Sequence, residues 1–191
     1  MSQQLPTTPS QTVGPYFSMR LSGEGENVLT TSADRIVIEG RIFDGEGAHI
    51  EDALLEIWQA APSGRYNHPD DTRDLAKEDE FTGFGRATSD FDTGEFRFET
   101  LKPGPVPDAE GEDQAPHISL VVQARGMLIP FFTRIYFSDE KKANTNDLVL
   151  RGVPSSRRET IIAKLQEGSD PPTYRFDIHM QGDDETVFFD F

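Results

Sequence analysis

"HISLVVQAR", residues 117–125, is the stretch on which the fold turns. It carries Ile118, Leu120, Val121 and Val122 with no Gly or Pro between them, a composition that favours a pleated strand. On a strand, residues i and i+2 share a face, so His117 and Ser119 point the same way. Similar runs lie outward from it: RIVIEGRIFD (35–44), ALLEIWQA (53–60), EFRFETL (95–101), FTRIYF (132–137), YRFDIHMQ (174–181) and TVFFDF (186–191). About seven strands separated by turn residues predict a mainly β chain, closed as a sandwich or barrel.

The connections have mechanisms of their own. DGEG at 44–47 and DTGE at 92–95 place Gly where a tight reversal needs positive φ, and both are expected to close hairpins. SSRRETIIAKLQEG at 155–168 departs from the β pattern. Ser156 and Glu159 form a capping box, Ile161, Ile162 and Leu165 fall on one face, and Gly168 ends the run, which predicts one helix of about three turns. PGPVPDAEGED at 103–113 is an acidic loop rich in Pro and Gly. Residues 1–34 mix Pro, Thr, Ser and Gly without periodicity and read as an extended N-terminal arm on a β domain spanning 35–191, one domain in all.

Composition narrows the function classes. The 191 residues hold 34 acidic and 18 basic side chains, a formal net charge of −16, which opposes binding to nucleic acid or to an anionic membrane. No cysteine is present, so disulfides and thiolate chemistry are excluded. No run of about 20 apolar residues and no basic-then-apolar leader occurs, and a cytoplasmic location is expected. Four histidines stand at 49, 68, 117 and 179, none paired at metal-ligand spacing. A His-x-His pair on one strand face would be the economical two-ligand motif, but its second position is Ser119. His117 taken alone reads first as a packing histidine. Arg134 is a cation flanked by Phe131, Phe132, Ile135 and Tyr136 and needs an anion, either one of the chain's own carboxylates or a ligand. The apolar residues 187–189, Phe191 and the aromatic strand around Arg134 suit a subunit interface or an intrachain core strand equally well.

Taken in order, TPSQTVGPYF (8–17), GRIFDGEGAHIEDALLEIWQAAPSGRY (40–66), LKPGPVP (101–107), APHISL (115–120), FTRIYFSDE (132–140), RRETIIAKL (157–165) and YRFDIHMQGDDETVFFDF (174–191) resemble the intradiol ring-cleaving dioxygenases over nearly the whole chain. That resemblance implies the family's β-sandwich and a non-haem ferric ion held by two tyrosines and two histidines. It also implies that this chain has lost the ion: His117 fills one histidine position, while Ser119, Val106 and Asp74 replace the other ligands. The iron-bearing partner implied is a homologous β subunit within a higher-order α–β oligomer, where an α chain shapes the active site at the interface. The implied reaction cleaves protocatechuate (3,4-dihydroxybenzoate) with O2 to 3-carboxy-cis,cis-muconate, a step of aromatic catabolism in the β-ketoadipate pathway. The implied substrate-binding residues are Arg134, with Arg125 as the competing reader of the substrate carboxylate, and Thr12, Gly14, Pro15 and Tyr16 of the arm. Two alternatives remain at this level: a non-enzymatic transthyretin-like binding module, and a free-standing metalloenzyme using His117, His179 and a carboxylate.

Overall fold

A computed structural model of the chain describes residues 9, 11–12, 14, 21–78 and 81–190. Pro15, Tyr16 and Phe191 lie outside the described residues. Two sheets face each other. In the first, β1 (Ile36–Phe43) pairs antiparallel with β4 (Glu95–Thr100) and parallel with the short strands β10 (Thr173–Arg175) and β11 (Ile178–His179). In the second, β2 (Leu54–Gln59) lies antiparallel between β3 (Phe84–Thr88) and β7 (His117–Gln123), and β7 pairs with β8 (Phe131–Phe137). A two-stranded ribbon, β5 (Val106–Pro107) with β6 (Asp113–Gln114), stands apart.

The sheets are continuous at one edge through β9 (Ile162–Leu165). Its first two residues pair parallel with β8, and its last two pair antiparallel with β10. Between the sheets lies one apolar cluster, to which β1 and β4 contribute Ile38, Ile42, Phe96 and Phe98, and β2, β7 and β8 contribute Leu55, Ile57, Ile118, Leu120, Val122 and Ile135. None of these is more than 2 % exposed. Strand periodicity does the sorting: in β7 the even-numbered residues enter the core, so His117, Ser119 and Val121 take the outer face. Gly40 is required by close approach. A Cβ there would lie 1.7 Å from the Phe176 carbonyl oxygen, where the chain between β10 and β11 bends against β1.

The expected helix at 155–168 does not form. The chain makes a 3-10 turn at Arg158–Ile161 with no side-chain cap, then runs extended as β9. The turn buries Ile161, and the extension after it buries Ala163 and gives β9 ladder partners on both sides, which outweighs the local capping signal. Helices with described bounds form instead at α1 (Lys141–Asn146) and α2 (Leu148–Gly152), the latter capped by Asp147.

Both predicted tight turns exist; the first closes a short hairpin, and the second carries the chain between the sheets. At 44–47 the Asp44 carboxylate accepts from the Glu46 and Ala48 amides, each at 2.9 Å, Gly47 has φ +80°, and the end of β1 pairs back on itself through a Phe43–His49 bridge and an Ile50 amide donating to Ile42 at 2.8 Å, before the chain crosses to β2 in the other sheet. The turn around Gly94 likewise carries the chain from β3 in one sheet to β4 in the other. The predicted C-terminal strand is reduced to one bridge, Phe132 with Phe189. Phe188 turns inward against Phe131 at 4.9 Å, and Ile135, Tyr136 and Phe137 are fully buried, so most of this aromatic surface is intrachain core. The sandwich also begins earlier than residue 35: the Leu29 amide donates to Glu99 and the Glu99 amide to Asn27, laying residues 27–29 along β4. Among the described residues no helix is long and apolar enough to cross a membrane.

Candidate functional site

The outer face of the second sheet carries the polar constellation. Register sets Trp58, Ser119 and Arg134 side by side across β2, β7 and β8, and sets His117 opposite Tyr136 in the β7–β8 pair. His117 is 5 % exposed, and its Nδ1 lies 2.8 Å from the Ala115 carbonyl. A carbonyl only accepts, so Nδ1 bears the proton and Nε2 the lone pair. Burial, with the nearby Arg134 charge second, pushes the imidazole pKa down to about 4.

Arg134 is half-buried, and one nitrogen, Nη1, donates both to the Gln114 side-chain oxygen at 2.9 Å and to the Tyr136 hydroxyl at 3.2 Å. Both partners are neutral. Among the described residues no carboxylate lies within ion-pair distance of Arg134. Behind it, the Tyr136 hydroxyl donates to Asp147 Oδ1 at 3.1 Å. Asp147 is 1 % exposed and also accepts from the Ala115 and Leu150 amides, both at 2.9 Å, so one carboxylate ties the β6–β7 connection to the start of α2. Burial holds the Tyr136 phenol well above its ordinary range and keeps it protonated as that donor.

Beside this row, Tyr66 stacks on Trp58 with ring centroids 5.7 Å apart and planes 12° from parallel. Burial raises the Tyr66 phenol, opposed by the Arg134 charge. The loop that follows is fastened by the Asp71–Arg73 pair at 2.6 Å, which holds the Asp71 carboxyl well below the usual carboxylate range, and by Arg65, which donates to the carbonyls of Asp71, Arg73 and Leu75. A hollow of about 670 Å³ lined by Trp58, Tyr66, His68, Asp71 and Arg73 opens there.

The residues singled out in the sequence meet different fates. His117, Ser119 and Arg134 come together on one face, and Val106, 5 % exposed, is the cross-strand partner of Gln114. Asp74 is exposed on the loop beyond Arg73. Arg125 is already paired, with Glu51 and with Asp52. Thr12 accepts a hydrogen bond from the Gly126 amide at 2.9 Å, in the β7–β8 loop, and Gly14 is exposed. Gln114, Tyr136, Asp147, Trp58 and Tyr66 were not singled out. The available signal was an Asp directly before Leu-Val-Leu, a helix N-cap pattern.

Residues 13–182 match the family described as Dioxygenase. The chain is 42 % identical to the protocatechuate 3,4-dioxygenase alpha chain of Pseudomonas putida, over 98 % of each. This chain belongs to the intradiol dioxygenases. As such it is also 43 % identical to the alpha chain of Burkholderia cepacia, over 97 % of this chain and 98 % of that one. With the Burkholderia cepacia beta chain it shares 32 % over 80 % of this chain and 67 % of the other. The dioxygenase domain of a carbohydrate-binding fusion from Streptomyces sp. SirexAA-E shares the fold, with TM-score 0.63, 23 % identity and coverage of 95 % and 100 %. So does an intradiol ring-cleavage dioxygenase from Tetranychus urticae, with TM-score 0.61, 18 % identity and coverage of 80 % and 84 %.

The intradiol dioxygenases depend on non-haem iron, and the donor set of this family member does not fit that ion. His117 offers one lone pair, Ser119 a neutral hydroxyl and Val106 none, while the Arg134 charge alongside opposes a second cation. Among the described residues no three His, Asp or Glu side chains gather at one point. His179, on β11 in the opposite sheet, stacks on Phe43 at 5.0 Å, so the alternative triad with His117 is not assembled.

Proposed function

We propose that this chain is the non-metal α subunit of a protocatechuate 3,4-dioxygenase, working beside a homologous β subunit that holds Fe3+, and that Arg134 binds the substrate carboxylate. The observation that carries the reading is a half-buried guanidinium held, among the described residues, by neutral groups, Gln114 and Tyr136. An unpaired cation in a partly desolvated site is built to receive an anion, and a guanidinium binds a carboxylate as a planar fork. Arg125 is the weaker candidate because Glu51 and Asp52 already occupy it. In this role the chain supplies orientation and charge complementarity to a catechol ring whose two hydroxyls meet the partner's metal. Arg134 would fix the end of the ring opposite those hydroxyls. Thr12, Gly14, Pro15 and Tyr16 of the arm would line the pocket in the assembly: Gly14 leaves room for a flat ring, Pro15 stiffens the chain beside it, and Tyr16 offers an apolar face with a hydroxyl.

The test compares two substrates in the assembled enzyme. Arg134→Ala is expected to lower kcat/KM for protocatechuate by the equivalent of about 1.5–3 kcal/mol, the worth of a charge-assisted hydrogen bond, and to spare catechol, which lacks the carboxylate. Equal loss on both substrates, or on neither, would make Arg134 structural and return the carboxylate to Arg125 or to the partner chain. Arg125→Ala is expected to leave the ratio of the two specificity constants unchanged.

A further inference from the structure

The direct partners of Arg134 share one property: neither carries charge. Gln114 is bound at both ends of its amide. Its oxygen accepts from Arg134 Nη1 at 2.9 Å, and its nitrogen donates to the Pro107 carbonyl at 3.3 Å, across the β5–β6 ribbon. A carboxylate could accept from Arg134 but could not donate to Pro107; a lysine could do the reverse only. Tyr136 completes the cradle, and the nearest acidic side chain in the network, Asp147, sits behind the phenol with both oxygens engaged by Ala115, Leu150 and Tyr136. The guanidinium is therefore oriented without being neutralised. In this chain of net charge −16, Arg41, Arg73, Arg86, Arg97 and Arg125 each pair with a carboxylate, and Arg65 and Arg158 are spent on backbone carbonyls, whereas Arg134 is held by two neutral side chains.

We propose that Gln114 is a specificity-determining positioning residue: its neutral amide fixes Arg134 while leaving its charge unpaired, and so selects catechols bearing an anionic ring substituent. The inference rests on the substrate reading of Arg134 and assigns the cause of that arginine's availability to a side chain that need not touch substrate. A glutamate at 114 would act as a built-in competitor, occupying the guanidinium as a substrate carboxylate does.

The experiment uses this chain co-assembled with its β partner, with iron content and assembly measured for every variant. Gln114→Glu, nearly isosteric, is expected to raise KM for protocatechuate on the order of ten-fold with kcat largely retained, and to leave catechol within about two-fold. Gln114→Met, which removes the acceptor without adding charge, is expected to raise the protocatechuate KM by only about two-fold. Should the glutamate variant fail to assemble, Gln114→Asp, which brings the same charge on a shorter side chain, takes its place with the same expected split between the two substrates. Equal losses on protocatechuate and catechol, or equal effects of Glu and Met at 114, would overturn the proposal. Arg134→Ala separates the two levels. If it leaves the substrate ratio unchanged, the reading of Arg134 fails; if it shifts the ratio and Gln114→Glu does not, the Gln114 inference alone fails.

Discussion

His117 is held neutral by its surroundings, and that has a measurable consequence for stability. In the folded chain its pKa lies near 4, against 6.5 for the free side chain, because burial and the adjacent Arg134 disfavour the imidazolium. Between those values the unfolded chain binds the extra proton and the folded chain does not, so the stability this site contributes is complete above about pH 6.5 and drains away as pH falls toward 4. The loss across that window is roughly 3 kcal/mol. Urea unfolding at pH 7.5 and 4.5 should show wild type losing about 2–3 kcal/mol more than His117→Phe, which keeps a ring against Tyr136 but has nothing to titrate. Equal losses in the two proteins would show that the histidine is protonated in the folded state. At this scale the sequence was partly legible. The missing His-x-His pair and the lone cation on an apolar strand could be read directly, because they depend on residue type and strand period alone. Gln114 and Asp147 could not: one amide and one carboxylate among 34 acidic side chains carry no signal until the ribbon and the helix bring them to Arg134 and Tyr136.

The segment between β8 and β9 is organised by Asp147. Its carboxylate caps α2 through Leu150, holds the Ala115 amide at the entry to β7, and receives the Tyr136 hydroxyl. Removing it leaves a helix uncapped and two buried donors without partners. Asp147→Ala is therefore expected to cost about 2–4 kcal/mol in chemical denaturation, well above a simple cap. A loss under 1 kcal/mol would mean that water or relaxation replaces those bonds readily. The same region shows why local sequence signals misled. The capping box at Ser156 and Glu159 is real as a pattern, but an isolated helix of about three turns is marginal in water, whereas a 3-10 turn followed by β9 completes two ladders and buries Ile161 and Ala163. Conversely, α1 and α2 are six and five residues long, too short to leave a periodic apolar face in the sequence. The long strands were legible because period-two alternation survives wherever one face meets a core. The turns at Asp44 and Gly94 were legible as turns, but which sheet each flanking strand joins depends on partners far away in sequence.

For the whole molecule, the two sheets joined at β9 present one outer face with His117, Ser119 and Arg134, a donor set that does not fit an iron ion. On the reading proposed above, such a chain is half of an active site, with the metal supplied by its partner. The decisive measurement is the iron stoichiometry of the chain purified alone and co-purified with its β partner, with protein mass and iron determined on the same samples. The account predicts no iron retained by the isolated chain after loading and gel filtration, and one Fe3+ for each α–β pair in the complex. Stoichiometric iron in the isolated chain, or two ions per pair, would contradict it.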